Sequence, residues 1–150
     1  MAKFVYRMQN ILELKEKMET QEKMAFAIAN AKLLEEQQKL QDLLLRRAEY
    51  EEQLKEAYEG SLDLRSIQQT KHGIETMKVM IRDQMFAIRR AQKELDVVRM
   101  RLDAVMKDRK THENLREHAF EEFKEEEARK ENKEIDELVS FTYGSDDEDK

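Results

Sequence analysis

In the second half of the chain Ile67, Ile74, Ile81, Ile88, Leu95 and Leu102 recur every seven residues without a miss. Three residues after each stand Thr70, Met77, Gln84, Ala91, Val98 and Val105. A strand alternates every two residues and a disordered chain keeps no period, so this stretch reads as a coiled-coil helix with both seam positions mostly filled.

Composition extends the helical reading to the rest of the chain. Ala, Glu, Lys, Leu and Arg supply 79 of the 150 residues, above the roughly one-half share that marks long helices and coiled coils. There is no proline, and each one inside a helix would cost about 3 kcal/mol. The first half carries a weaker pattern in two frames. Phe4, Met8, Ile11, Met18 and Ala25 form one; Phe26, Leu33, Leu40 and Leu54 with Ala29, Leu43, Tyr50 and Ala57 form the other. The change of frame predicts a four-residue shift near Ala29, which would unwind a supercoil locally. Glu36 and Arg47 fall on the second seam, where their stems can lie along apolar surface.

Between the halves lies Glu59-Gly60-Ser61-Leu62-Asp63-Leu64. Gly60 suits a left-handed helix end, and Ser61 or Asp63 can cap the next helix. Folding back there sets the two seams antiparallel, with facing residue numbers adding to 124. Ala57 then meets Ile67, Tyr50 meets Ile74, Leu43 meets Ile81, Leu33 meets Ala91, Ala29 meets Leu95 and Phe26 meets Val98. The expected fold is all-α: an elongated antiparallel two-helix coiled-coil hairpin with an overhanging C-terminal helix. Its parts are a helix over residues 3–59, a turn over 60–64, a helix over 65–139 and an acidic disordered tail over 140–150. From about residue 124 onward the longer helix has no partner in its own chain, yet Ile135, Leu138 and Val139 keep helical spacing.

Charge is unevenly spread. Residues 78–110 hold ten basic and five acidic side chains, whereas residues 113–150 hold fifteen acidic and six basic. Arg89, Arg90, Lys93, Arg99, Arg101, Lys107, Arg109 and Lys110 could follow nucleic-acid phosphates. The net charge of −6 and the interleaved Glu94, Asp96, Asp103 and Asp108 argue instead for a solvated face or an acidic protein partner.

Catalytic motifs are missing. Gly60, Gly73 and Gly144 stand alone, so no glycine-rich phosphate loop exists. His112 and His118 are six apart, on different helix faces, and offer no metal site. Glu125 and Glu126 would need a pocket to do acid–base chemistry. Without cysteine there is no disulfide framework or thiolate site. The longest apolar run, Met24 to Ala29, is six residues, far short of the roughly 20 that span a bilayer. No enzyme, cofactor or metal is expected, and the reading is cytosolic. Met77, Met80, Met85, Met100 and Met106 either fill seam gaps or form an adaptable binding surface. Gly73 interrupts the strongest heptad run; close approach by a partner beside Tyr50 and Met77 would explain it, and so would plain sequence drift.

Two stretches carry a family resemblance. Phe4-Val5-Tyr6-Arg7-Met8-Gln9-Asn10-Ile11-Leu12-Glu13-Leu14 resembles the opening Phe-x-aromatic-x-apolar-Gln-x-apolar-Leu pattern of the bacterial flagellar export protein FliJ family. Lys130-Glu131-Asn132-Lys133-Glu134-Ile135-Asp136-Glu137 is similar to its closing run. The resemblance implies a non-enzymatic stalk of the flagellar type III export apparatus. It also implies docking in the ring of the hexameric export ATPase FliI, promotion of its assembly and activity, and contact with the export-gate protein FlhA and flagellar substrate chaperones. By that resemblance Phe4, Met8, Gln9, Ile11, Ile135, Asp136 and Glu137 belong to the ring-binding end, and Tyr50, Met77 and Gln84 to a gate-facing surface. Such a protein would be a cytoplasmic monomer, reaching the membrane only through partners. A prefoldin-like or general coiled-coil chaperone and a parallel homodimeric coiled-coil scaffold are the competing readings.

Overall fold

A chain without proline and dominated by strong helix formers has little reason to break. In the computed structural model it breaks once among the described residues, which are 2–60 and 63–148, the last four by backbone only. Helix α1 spans Gln9–Glu59 and helix α2 spans Leu64–Glu148. Among the described residues there is no strand.

The break is made differently from the expected glycine end. Gly60 does not adopt a positive φ; its N–H still donates to the Glu56 carbonyl at 3.0 Å, as helix geometry requires. The following helix is capped by Asp63, whose Oδ1 accepts from the Arg65 N–H at 3.1 Å and whose carbonyl accepts from the Ile67 N–H at 3.0 Å. The suggested Ser61 cap lies outside the described residues.

Both outer boundaries also differ from expectation. Helix α1 begins at Gln9 rather than residue 3, because residues 2–8 run non-helically. Phe4, Val5 and Tyr6 lose rotamer freedom in a helix, and the Phe4 ring gains aromatic contacts by leaving it. Helix α2 continues past residue 139 to Glu148. Thr142 supports it by donating its hydroxyl to the Leu138 carbonyl at 2.9 Å. Residues 149 and 150 of the expected tail lie outside the described residues.

The chain divides into two compact units. In the first, Thr20–Ala104, the helices pack antiparallel with the expected apolar seam. Ala29, Leu33, Ala91, Leu95 and Val98 form its core, and Ala25, Phe26 and Ile88 pack against it. Ile67, Thr70, Ile74, Met77 and Ile81 continue the seam, all buried. Full burial of each aliphatic side chain contributes about 1.5–3 kcal/mol. Thr70 sits there without a loose hydroxyl, since its Oγ1 donates to the Ser66 carbonyl at 2.9 Å. Of the five methionines noted above in α2, only Met77 is buried; Met80, Met85, Met100 and Met106 are 36–72% exposed.

The second unit joins Met1–Glu19 to Val105–Lys150. Here charged side chains share the interior with apolar ones. Leu12 is buried at 4% exposure, but its neighbours on the seam are Lys15 and Glu19. Lys15 Nζ reaches Asp108 Oδ2 at 2.7 Å, and Arg109 pairs with Glu19 and, at 2.8 Å, with Glu113.

This arrangement overturns the expected frame shift. Inward residues of α1 recur every seven from Leu12 through Glu19, Phe26, Leu33, Leu40, Arg47 and Leu54, so one frame holds throughout. Ile11 and Met18, assigned to the seam from sequence, are 38% and 36% exposed. Ion pairing across the helices lets Lys15, Glu19 and Glu22 occupy positions where an apolar side chain was sought.

Candidate partner-binding site

The free end of α2 follows from the register. Helix α1 begins at Gln9, and the non-helical residues 2–8 carry Phe4 against α2. Its ring meets Phe120 edge-on, centroids 5.0 Å apart, and Phe123 at 5.4 Å. Arg116 stacks its guanidinium 5.7 Å from the Phe4 centroid and donates Nε–H to Gln9 Oε1 at 2.9 Å. Lys124 places its ammonium 4.5 Å from the Phe120 centroid. The N-terminal segment is thereby fastened by aromatic and cation–π contacts.

Beside it runs an open groove bounded by Val5, Arg7 and Met8 and by Ala119, Glu122, Glu125, Glu126 and Arg129. Glu127 is half-buried, and residues 128–144 of α2 are all exposed. Ile135, Leu138 and Val139 are 56%, 66% and 47% exposed, spaced so that they share a face. Glu131, Glu134, Asp136 and Glu137 surround them in sequence. Ile135, Leu138 and Val139 thus form an exposed apolar stripe with acidic neighbours.

The residues singled out from the opening and closing motifs fall on this unit in two groups. Phe4 and Gln9 are half-buried and engaged within the chain; Met8 and Ile11, each 38% exposed, face outward. Ile135, Asp136 and Glu137 lie six or more residues beyond Arg129, where the groove ends, about 9 Å further along the helix. Phe120 and Phe123, which anchor the N-terminal segment, were not singled out; their spacing of three and their place opposite Phe4 in the antiparallel register were the available signal.

Tyr50, Met77 and Gln84 belong to Thr20–Ala104 and point into its seam. Met77 is 6% exposed, and the Tyr50 ring lies on Gly73. Gln84 Nε2–H donates to the Glu36 carbonyl at 2.8 Å and to its carboxylate. Glu36, 6% exposed, also faces Lys32 Nζ at 3.0 Å and Lys39 Nζ at 3.5 Å. The Gln84 hydrogen bond and then that of Lys32 hold the Glu36 carboxyl below its usual range. These contacts occupy the side chains internally.

Among the described residues no cluster of His, Cys, Asp and Glu is arranged for a metal ion. No helix among them is long and apolar enough to cross a membrane.

A sequence model of a known family, described as the flagellar FliJ protein, matches residues 4–148. No curated protein and no solved structure matches the chain.

Proposed function

Since the chain belongs to the flagellar FliJ protein family, and so is a component of flagellar protein export, we propose that it acts as a non-enzymatic stalk for the export ATPase. The observation that carries this reading is the bare end of α2. Residues 128–144 keep a helical apolar stripe, Ile135, Leu138 and Val139, that nothing among the described residues covers. Burying each of those side chains in a partner is worth about 1.5–3 kcal/mol. The acidic residues among them favour a binding cavity lined with basic groups, as the pore of a hexameric ATPase ring would offer.

Binding some ring conformations better than others would promote assembly and bias the catalytic cycle, because a ligand shifts an equilibrium by its differential affinity. The outward Met8 and Ile11 would extend the contact from the N-terminal side. Links to the export gate and to substrate chaperones remain part of the same proposal, carried by outer faces of the helix pair.

The test is stimulation of the cognate hexameric export ATPase by the purified full chain. Ile135→Asp with Leu138→Asp is expected to abolish stimulation and ring assembly while leaving helicity unchanged, since both residues are exposed. Full stimulation by that variant, or by a chain ending at Phe123, would refute the assigned role. Suppression of client aggregation without any effect on the ATPase would favour the chaperone reading.

A further inference from the structure

The apolar surface at the end of α2 does not stop at Val139. Phe141 and Tyr143 ride on the helix beyond it, 77% and 72% exposed, the most exposed aromatic side chains among the described residues. Successive helical residues turn by about 100°. Taken in order around the axis, the apolar side chains run Phe141, Leu138, Ile135, Val139 and Tyr143, over an arc of about 200°. A helix that meets its partner along one side carries an apolar stripe on the order of 100° wide; here it covers more than half the circumference. Glu134 and Thr142 fall within the arc, and Asp136, Glu137 and Ser140 take the remaining sector.

The two rings are the decisive pair. Measured the short way round, Phe141 and Tyr143 leave the axis about 160° apart, so a single facing helix or a flat surface would cover one and leave the other in water. Burying both requires a partner that surrounds the helix. Charge sets the chemistry of its wall. Lys133 lies in the sector of Asp136 and Glu137, but between it and Lys150 the sequence holds seven acidic residues and no basic one. An anionic bilayer, or the same end of a second copy of the chain, would meet this segment with like charge, which opposes association. A protein cavity with apolar walls and Lys or Arg opposite Asp136 and Glu137 meets it with complementary charge.

We propose that residues 135–143 are enclosed by such a cavity, with Phe141 and Tyr143 as the anchoring side chains on its two flanks. Large aromatic side chains are the residues that interfaces favour at their centre. The enclosure rests on the reading that this end of α2 enters the export ATPase ring. It adds that the ring grips the helix on both sides, one turn beyond the Ile135 stripe.

The full chain and the cognate hexameric export ATPase supply the test. The chain has no tryptophan, so Phe141→Trp and Tyr143→Trp each install a single reporter, and the parent chain with the same ATPase gives the blank. In the complex both reporters are expected to emit at shorter wavelength and to lose most of their quenching by acrylamide. Phe141→Ala and Tyr143→Ala should each raise the concentration for half-maximal stimulation at least about tenfold, as loss of an anchoring residue does. Circular dichroism should stay unchanged, because both side chains are exposed. Protection of only one tryptophan overturns the proposal and leaves a contact along one side of the helix. So does stimulation indifferent to both alanine changes in a system where Ile135→Asp with Leu138→Asp abolishes it. If that aspartate variant stimulates fully, the underlying reading has failed and the enclosure falls with it.

Discussion

The Tyr50 ring lies on the backbone of Gly73 so closely that a Cβ built there would sit 2.9 Å from Cε1 and 3.0 Å from Cζ. The glycine in the strongest heptad run is thus required by the chain's own tyrosine. Alanine would gain about 1 kcal/mol of helix propensity, but overpacking costs about 1–3 kcal/mol. Gly73→Ala is therefore expected to lower stability by about 1 kcal/mol in urea titrations. In a Tyr50→Ala background the same change should raise it by about 1 kcal/mol. A stabilising Gly73→Ala in the intact chain would contradict the packing.

The apolar core of Thr20–Ala104 should respond as a close-packed interior. Leu95 is 3% exposed, and Leu95→Ala is expected to cost about 2–5 kcal/mol. Ile81→Asp should be worse, since it buries a charge without a partner. Loss of helical circular dichroism at lower urea checks both.

Glu36 and Gln84 form a polar step in that core. Removing Gln84 alone leaves a buried carboxylate short of its inter-helix donor, so Gln84→Leu should lower Tm clearly. Replacing both with leucine is expected to restore or exceed the original Tm, as a well-packed apolar pair can match a buried polar one. Equal Tm losses for the single and double variants would argue that the two do not act together.

Acid should weaken the helix pair, and the sign follows from the direction of two shifts. Glu36 and Asp108 both titrate below their ordinary values of 4.5 and 3.8. Asp108 is held there chiefly by its hydrogen bond to Lys15. The unfolded chain therefore takes up protons first as pH falls. Stability from these groups is whole above the ordinary values and drains away as pH drops through the folded-state pKa values. Urea midpoints measured from neutrality to pH 2 should decline below about 4.5, and Glu36→Gln should make the decline shallower. A midpoint that rises in that range would reverse the assignment.

The Phe4 contacts with Phe120 and Phe123 should be what holds residues 2–8 on α2. Phe4→Ala is expected to speed amide exchange and proteolysis there, losing about 0.5–1.5 kcal/mol for each aromatic pair beyond buried area. Exchange over Leu33 and Leu95 should stay unchanged.

Period and composition made the apolar part of this fold legible, because Ile67 to Leu102 announce one helix and their partners Ala29, Leu33 and Leu43 announce the other. Lys15, Glu19 and Glu22 stayed hidden. A charged residue at helical spacing reads as solvent-facing until its partner across the seam is known, and Asp108, Arg109 and Arg101 are 79 to 93 positions away. Met8 and Ile11 were then drawn into a frame that their exposure denies. The bare Ile135 stripe was legible because its partner helix runs out. Tyr50, Met77 and Gln84 were singled out by resemblance, and only packing reveals what they touch.

Dissolved ions screen the Lys15–Asp108 and Glu19–Arg109 contacts, whereas the apolar contacts of Leu33 and Leu95 carry no charge to screen. Raising ionic strength should therefore loosen the contacts of Lys15 and Glu19 before those of Leu33 and Leu95, while the Phe4 contacts with Phe120 and Phe123 still hold residues 2–8.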